Sequence, residues 1–253
     1  MSPEASRREM LALIAATTAS APLFAQTAPP IHAIAFDAFV LFNTDAIVAR
    51  VREDLGDMAS AVMAAASTKL FAYSWYYTSA GRYTPFEKLA ADAFKSATRG
   101  LGLNPANMNI DRIVAGYGNL TVWPDIPDGL QTLRRHGIRL AVLSNLSERS
   151  LAASLRANGI DGQFENVLST DRVQQYKPSP KAYAEAVRAF GVSKDKIGFA
   201  ASAGWDASGA TWFGFPTVWI NRQGLAAEPV HAAPRLVAKG ADGLLRLAGI
   251  QAA

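Results

Sequence analysis

The chain contains no cysteine, which removes disulfides, thiolate metal sites and cysteine nucleophiles from consideration. Histidine is nearly as scarce. His32, His136 and His231 are scattered, so neither a Ser-His-Asp triad nor a histidine metal cluster has the residues it needs. Basic residues outnumber acidic ones by 25 to 21 but form no block, and an excess of +4 spread in this way describes a solvated surface, so no nucleic-acid partner is expected. No apolar run after residue 30 is long enough to span a bilayer, and no repeat or low-complexity segment is present.

Half of the 253 residues are hydrophobic, enough for one large core or for a core with a smaller inserted domain. Near the N-terminus, Ser6-Arg7-Arg8-Glu9-Met10-Leu11 carries a twin-arginine pair, followed by an apolar and small-residue stretch to Phe24, with Ala25 or Ala28 as a cleavage point. The stretch is short for a membrane span and is broken by Thr17, Thr18, Ser20 and Pro22. Residues 1–28 are therefore expected to be a twin-arginine-type export signal. Its removal would leave a periplasmic protein with no membrane attachment.

After the signal, Ile31-His32-Ala33-Ile34-Ala35-Phe36 reads as a buried parallel strand that delivers Asp37 to the carboxyl edge of a sheet. The region 44–124 is rich in Met, Ala and aromatic residues and poor in β-branched runs, which marks it as a helical insertion, or cap. From residue 125 strands and helices alternate. Helices are expected over Asp128 to His136, Glu148 to Asn158, Pro180 to Phe190 and Asp206 to Phe213. Strands are expected over Ile138 to Ser144, Asn166 to Ser169, Ile197 to Ser202 and Pro216 to Asn221. This alternation implies an α/β fold: a Rossmann-like parallel-sheet core formed by 29–43 and 125–253, with helices on both faces.

Polar residues gather where strands end. Asp37 follows the first strand, Ser144-Asn145 the second, Tyr176-Lys177-Pro178 lies in the loop after the third, and Ser202 with Trp205-Asp206 follows the fourth. In a doubly wound sheet these ends share one edge, so residues distant in sequence can line one pocket.

This order of motifs resembles the haloacid dehalogenase superfamily and, within it, the type II dehalogenases acting on L-2-haloacids. The matching segments are Phe36-Asp37-Ala38-Phe39, Tyr73-Ser74-Trp75, Gly81-Arg82-Tyr83 through Phe86, Leu143-Ser144-Asn145, Val173 to Pro178 with Tyr183, and Trp205-Asp206-Ala207-Ser208-Gly209-Ala210 running on to Trp219-Ile220-Asn221-Arg222. They extend over almost the whole chain after the signal, and the last segment is the most specific. The resemblance implies a haloacid dehalogenase-like fold with a helical cap, a small 2-haloacid as substrate, and often a homodimer.

Superfamily phosphatases carry a second aspartate two residues after the nucleophile and hold Mg²⁺ with a pair of late acids. Here Phe39 takes the first position, and the loop Ala200 to Asp206 has one carboxylate, too few for the oxygen shell of Mg²⁺. A halide leaves without a proton, so neither metal nor cofactor is expected. Asp37 would attack the substrate Cα with inversion, and water would hydrolyse the aspartyl ester, taking a short (S)-2-haloacid to an (R)-2-hydroxyacid.

Lys177 is expected beside Asp37, keeping it ionised. Asp206 would orient or activate the hydrolytic water, cap the helix it precedes, or do both. Ser144 and Asn145 would hydrogen-bond a carboxylate, that of Asp37 or of the substrate, or cap the helix at Glu148. Phe39, Phe71, Phe86 and Trp205 would form an apolar wall. Tyr183 is assigned to the substrate site by the resemblance alone.

Several family groups are replaced. The glycine and threonine usual after the nucleophile are Val40 and Leu41; the cap arginine that helps take up halide falls on Ser67, with Lys69 the nearest cation; the late loop's serine and asparagine align with Ala201 and Ala203. Missing donors of this kind cost transition-state stabilisation. Lys69 and Ser202 are the candidates to compensate. Two alternatives follow: a catalytically reduced member that binds small carboxylates, and a phosphate-ester hydrolase, which Phe39 and the single late acid disfavour.

Overall fold

A computed structural model describes residues 30–227 and 229–251; the expected export signal lies outside them. The chain order is β1 (Ala33–Phe36), α1 (Ala38–Leu41), β2 (Phe42–Asn43), α2 (Asp45–Leu55), α3 (Ala59–Ser79), α4 (Phe86–Gly100), α5 (Ile110–Ala115) and β3 (Thr121–Val122). It continues as α6 (Ile126–Arg135), β4 (Arg139–Ser144), α7 (Glu148–Ala157), β5 (Asn166–Ser169), α8 (Pro180–Phe190), β6 (Ile197–Ala201), α9 (Gly204–Phe213), β7 (Thr217–Ile220), β8 (Leu236–Ala238) and α10 (Asp242–Leu247).

Six strands form one sheet in the order β5-β4-β1-β6-β7-β8, every pairing parallel. The α/β fold expected from the alternation is thus present, and β1 lies at its centre with all four residues buried. The chain leaves β1 for β4 on one side and later returns to β6 on the other. That reversal of direction opens a crevice at the carboxyl ends, beside β1. Strand alternation sorts the core. Ile34, Phe36, Val142, Ala200 and Val218 join Leu130, Leu151 and Leu244 on one face, while Ala35, Leu143, Phe199 and Trp219 pack with Tyr183, Ala207 and Ala210 on the other.

The two-residue strands β2 and β3 pair antiparallel as a small ribbon, and α2 to α5 lie between them in sequence. In the 21-residue α3, Ala59, Val62, Ala66, Leu70 and Ser74 recur at intervals of three and four and are buried. Hydrogen bonds tie this helical layer to the core. Glu87 accepts from Ser147 and from Ser150 (2.9 Å), Tyr176 Oη donates to the Thr84 carbonyl at 2.7 Å, and Tyr83 donates to Asp171. Tyr76 is exposed, whereas Tyr77 is half-buried against the core. No described helix is long and apolar enough to cross a membrane.

Besides the short α1 and β2, two further core elements were not anticipated, β8 and α10. β8 is a three-residue edge strand with Val237 exposed, too short and too mixed to carry an alternation signal.

Candidate active site

Asp37 is fixed before its side chain is considered. Its N–H donates to the Ala200 carbonyl at 2.9 Å, continuing the β1–β6 ladder one residue past the strand, and its carboxylate caps the four-residue α1 by accepting from Phe39 N at 3.1 Å. The same oxygen, Oδ2, accepts from Ser202 Oγ at 2.6 Å. The other, Oδ1, accepts from Lys177 Nζ at 2.8 Å. The carboxylate is 8% exposed, and that small fraction opens into a cavity of about 370 Å³.

Lys177 is buried and bridges two acids, donating also to Asp206 Oδ2 at 2.6 Å. Its backbone N–H donates to Asn145 Oδ1 at 3.0 Å, which anchors the loop that delivers it. Burial disfavours its charge, but the two carboxylates outweigh burial and hold the ammonium above the usual lysine range. Asp206 is shifted too. Burial pushes its carboxyl up to about 6, with the negative charge of Asp37 adding to the effect and Lys177 and Tyr183 opposing it.

Asp206 is not the cap of its helix. The N-cap of α9 is Ala203, whose methyl group makes no capping hydrogen bond, and Asp206 turns inward from the first turn to meet Lys177. Ser144 and Asn145 are not caps either, because Ser147 caps α7 by accepting from Ser150 N at 3.2 Å. Neither residue bonds Asp37. Ser144 Oγ accepts from Leu146 N, Asn145 Oδ1 is taken by Lys177 N, and both side chains line the cavity.

Two expected substrate contacts are corrected. Tyr183 does not line the cavity; it is fully buried behind Asp206 and donates to Asp206 Oδ1 at 2.7 Å. Burial, then the charge of Asp206, pushes its hydroxyl well above the ordinary tyrosine range, so it stays a donor. Gly209 permits this approach, since a Cβ there would stand 2.6 Å from the Tyr183 hydroxyl and 2.6 Å from Pro178 Cβ. Lys69 is also outside the cavity. The α3 residues that line it are Met63, Ala66, Ser67, Leu70 and Phe71, and Lys69 is turned about 200° around the helix from Ser67.

The remaining expected residues, Phe39, Ser67, Phe71, Phe86, Ser202 and Trp205, all line the cavity. Phe71 and Trp205 pack with ring centroids 5.2 Å apart, which joins the helical layer to the core across the cavity wall. One functional candidate was overlooked, Arg222. It follows β7, so the strand-end rule applied to the fifth strand would have found it. Its Nη2 donates to both Asp125 oxygens at 2.8 and 3.1 Å, and its guanidinium lies 4.6 Å from the Trp123 ring centroid. The Arg222 Nε–H and the indole N–H groups of Trp123 and Trp205 have no acceptor among the described residues, and all three side chains line the cavity.

The donor set does not fit Mg²⁺. The Lys177 ammonium already bridges the two carboxylates of this edge, and no cluster of three or more His, Cys, Asp or Glu side chains that could hold a metal occurs among the described residues. What remains is the Asp37 carboxyl group held by three donors at the floor of a largely apolar chamber.

A family profile described as haloacid dehalogenase-like hydrolase matches residues 23–214. The chain is 36% identical to the (S)-2-haloacid dehalogenase of Pseudomonas sp. (strain YL) over 205 residues, 81% of this chain and 88% of that one. Its fold superposes on the L-2-haloacid dehalogenase RSc1362 with a TM-score of 0.84 and 34% identity, covering 87% of this chain and 100% of the other. It also superposes on the L-2-haloacid dehalogenase from Xanthobacter autotrophicus with chloropropionic acid covalently bound, at a TM-score of 0.79 and 26% identity, covering 88% and 100%.

Proposed function

Because the chain belongs to the haloacid dehalogenase-like hydrolases, and because its central acid faces an apolar cavity, we propose that it is an (S)-2-haloacid dehalogenase acting through Asp37. The reaction is the hydrolytic cleavage of the carbon–halogen bond of a 2-haloacid. The observation that carries the reading is the Asp37 carboxylate, bonded to buried Lys177 and followed two residues later by Phe39, where a phosphatase-type general acid would stand.

In the first step a carboxylate oxygen of Asp37 attacks the substrate Cα opposite the halogen, the carbon–halogen bond breaks, and halide leaves with the bonding pair. Lys177, Ser202 and the Phe39 N–H hold the Asp37 side chain and aim it. Phe39, Phe71, Phe86 and Trp205 keep water from competing. In the second step water adds to the aspartyl carbonyl and passes a proton to Asp206; the acyl carbon–oxygen bond then breaks, the departing alkoxide takes that proton from Asp206 and leaves as an (R)-2-hydroxyacid, and the second water proton is lost to solvent as the Asp37 carboxylate is regenerated. A covalent route is supported by the Xanthobacter autotrophicus neighbour, solved with chloropropionic acid covalently bound.

The unpartnered N–H groups of Trp205, Trp123 and Arg222 supply donors for the anions that enter and leave. The test is halide release from (S)-2-chloropropionate, with and without Mg²⁺, by wild type and Asp37→Asn. The reading requires release by wild type that is indifferent to Mg²⁺, and a loss of at least about 10⁴-fold in Asp37→Asn. Release that survives in Asp37→Asn contradicts it, as does Mg²⁺-dependent phosphate release in place of halide. Carboxylate binding with no halide release by wild type would favour the reduced, binding-only alternative. That alternative draws on Ala201 and Ala203 in the late loop. The twin-arginine pair Arg7-Arg8 supports export to the periplasm, tested by cell fractionation of Arg7→Lys/Arg8→Lys, which should retain the precursor inside.

A further inference from the structure

The loop that carries Lys177 is held from two sides at consecutive amides. On the core side the Lys177 N–H donates to Asn145 Oδ1 at 3.0 Å, and one residue earlier the Tyr176 N–H donates to Thr78 Oγ1 at 3.0 Å. Thr78 belongs to the last turn of α3, so this second bond comes from the helical layer. The Tyr176 side chain turns the same way. Its hydroxyl donates to the Thr84 carbonyl at 2.7 Å, and its ring stacks on Tyr83 with centroids 5.5 Å apart. Tyr83 in turn donates to Asp171, in the turn that opens the same loop. Burial, then the neighbouring Tyr83, holds the Tyr176 hydroxyl above the ordinary tyrosine range, so it stays a donor to Thr84.

Thr78, Tyr83, Thr84 and Tyr176 do not line the cavity, so their contacts serve something other than binding there. Attachment of the helical layer is also provided elsewhere, where Glu87 of α4 accepts from Ser147 and Ser150 at the start of α7. What sets the Tyr176 contacts apart is the next residue, whose ammonium bridges Asp37 and Asp206 at 2.8 and 2.6 Å. Tyr176 and Lys177 are at most 1% exposed. Close packing leaves the lysine stem little room to absorb a shift of its backbone by rotation, so a displacement at Tyr176 is passed on to Nζ. The helix that supplies Thr78 also presents Ser67, Leu70 and Phe71 to the cavity. α3 thus meets the substrate's space along its length and the lysine loop at its end.

We infer that Tyr176 is a positioning residue for Lys177: Thr78 and Thr84 of the helical layer hold Tyr176, and this hold sets where the Lys177 ammonium meets Asp37 and Asp206. The inference rests on the dehalogenation reading for its effect on rate, but the placement of the ammonium can be followed without turnover.

The experiment compares Thr78→Val, which removes the acceptor at nearly constant shape, with Thr78→Ser, which keeps it, and with Glu87→Ala, which removes the other attachment. Halide release from (S)-2-chloropropionate is followed against pH beside urea unfolding. The Asp206 carboxyl is titrated by ¹³C NMR in labelled protein without substrate, with Asp206→Asn to identify its signal. Thr78→Val should lower kcat about tenfold and leave KM within about twofold, the pattern of a slightly misplaced group. Burial raises the Asp206 carboxyl and Lys177 opposes this, with Asp37 and Tyr183 the other groups facing it. A withdrawn ammonium should therefore move the acid limb of kcat and the NMR titration upward by at least about half a pH unit. Tyr176→Phe, which loses only the bond to Thr84, should act in the same direction to a smaller extent. Thr78→Ser should restore both readouts, and Glu87→Ala should lower stability while moving neither. A Thr78→Val protein that loses stability alone, with the kcat and Asp206 titration of wild type, overturns the inference and leaves dehalogenation standing. An equal shift in Glu87→Ala also overturns it, because any loosening of the helical layer would then suffice. If wild type releases no halide, dehalogenation fails and the NMR titration decides: an Asp206 signal unmoved by Thr78→Val and by Tyr176→Phe overturns the positioning role, and an upward shift reversed in Thr78→Ser upholds it.

Discussion

The two walls of the cavity are built on opposite physical terms. The core wall gathers charge: Asp37, Lys177 and Asp206 are linked by bonds of 2.8 and 2.6 Å, and Ser202 and Tyr183 each add a donor to one of the acids. The helical wall, from α3 and α4, presents Phe71, Leu70, Phe86 and Phe94, with Ser67 its one polar lining residue. Bond-making groups therefore sit on strand ends, whose positions the sheet fixes, while the wall that meets the substrate's substituent is a packing surface. Changes on the first wall should alter the chemical step, and changes on the second should alter which acid is chosen.

The largest effect that would break this division is expected from Lys177→Met. It leaves two buried carboxylates facing each other without a counter-charge, which should cost about 3–5 kcal/mol of stability at neutral pH in urea unfolding and at least about 10³-fold in halide release. A variant of wild-type stability would contradict the charge-based account of the core wall. Ser202→Ala comes next. Loss of one donor to an ionised carboxylate should lower kcat/KM about 10- to 100-fold with little change in unfolding.

Asp206 sets a pH dependence with two opposite signs. Its ionised form is the one that accepts a proton from water in the second step, so kcat should fall as pH drops through about 6. For stability, a carboxyl raised above its unfolded value contributes fully below the ordinary carboxylate range, and that contribution is lost as pH rises through about 6. Tyr183→Phe removes a donor that holds Asp206 down, so the acid limb of the rate profile should move to higher pH, with a few-fold loss of rate at neutrality. Asp206→Asn should remove this titration from the stability profile. The smallest effect is expected from Lys69→Ala, which should change kcat/KM less than twofold because the side chain lies off the cavity face.

The core wall was the more legible of the two. β1, β4, β5, β6 and β7 are buried parallel strands with the signature of apolar runs between helices, and a polar residue at a strand's carboxyl end has a determined place once the sheet is known. Asp37, Lys177 and Asp206 converge for that reason. Arg222 obeys the same rule and was missed because only four strand ends were weighed. Tyr183 was misplaced because a tyrosine on a helix carries no signal for which side of an acid it approaches, and that was decided by the close contact across Gly209.

The helical wall is harder to read. Lys69 and Ser67 are two residues apart in sequence yet face different ways, so nearness along a helix says nothing of nearness in space. The ribbon of β2 and β3 has two residues per strand, below any detectable periodicity. How α3 meets α4 depends on which small residues face each other across the two helices, and Ala66, Ala90 and Ala93 are unremarkable singly.

The most direct test of the central claim is where the oxygen of water goes. Wild-type protein in excess over an (S)-2-haloacid, turned over once in H₂¹⁸O and then digested, should carry the label in the peptide containing Asp37, with unlabelled hydroxyacid product. Label found in the product and absent from Asp37 would mean that water attacks the substrate directly and that the Asp37 ester does not form.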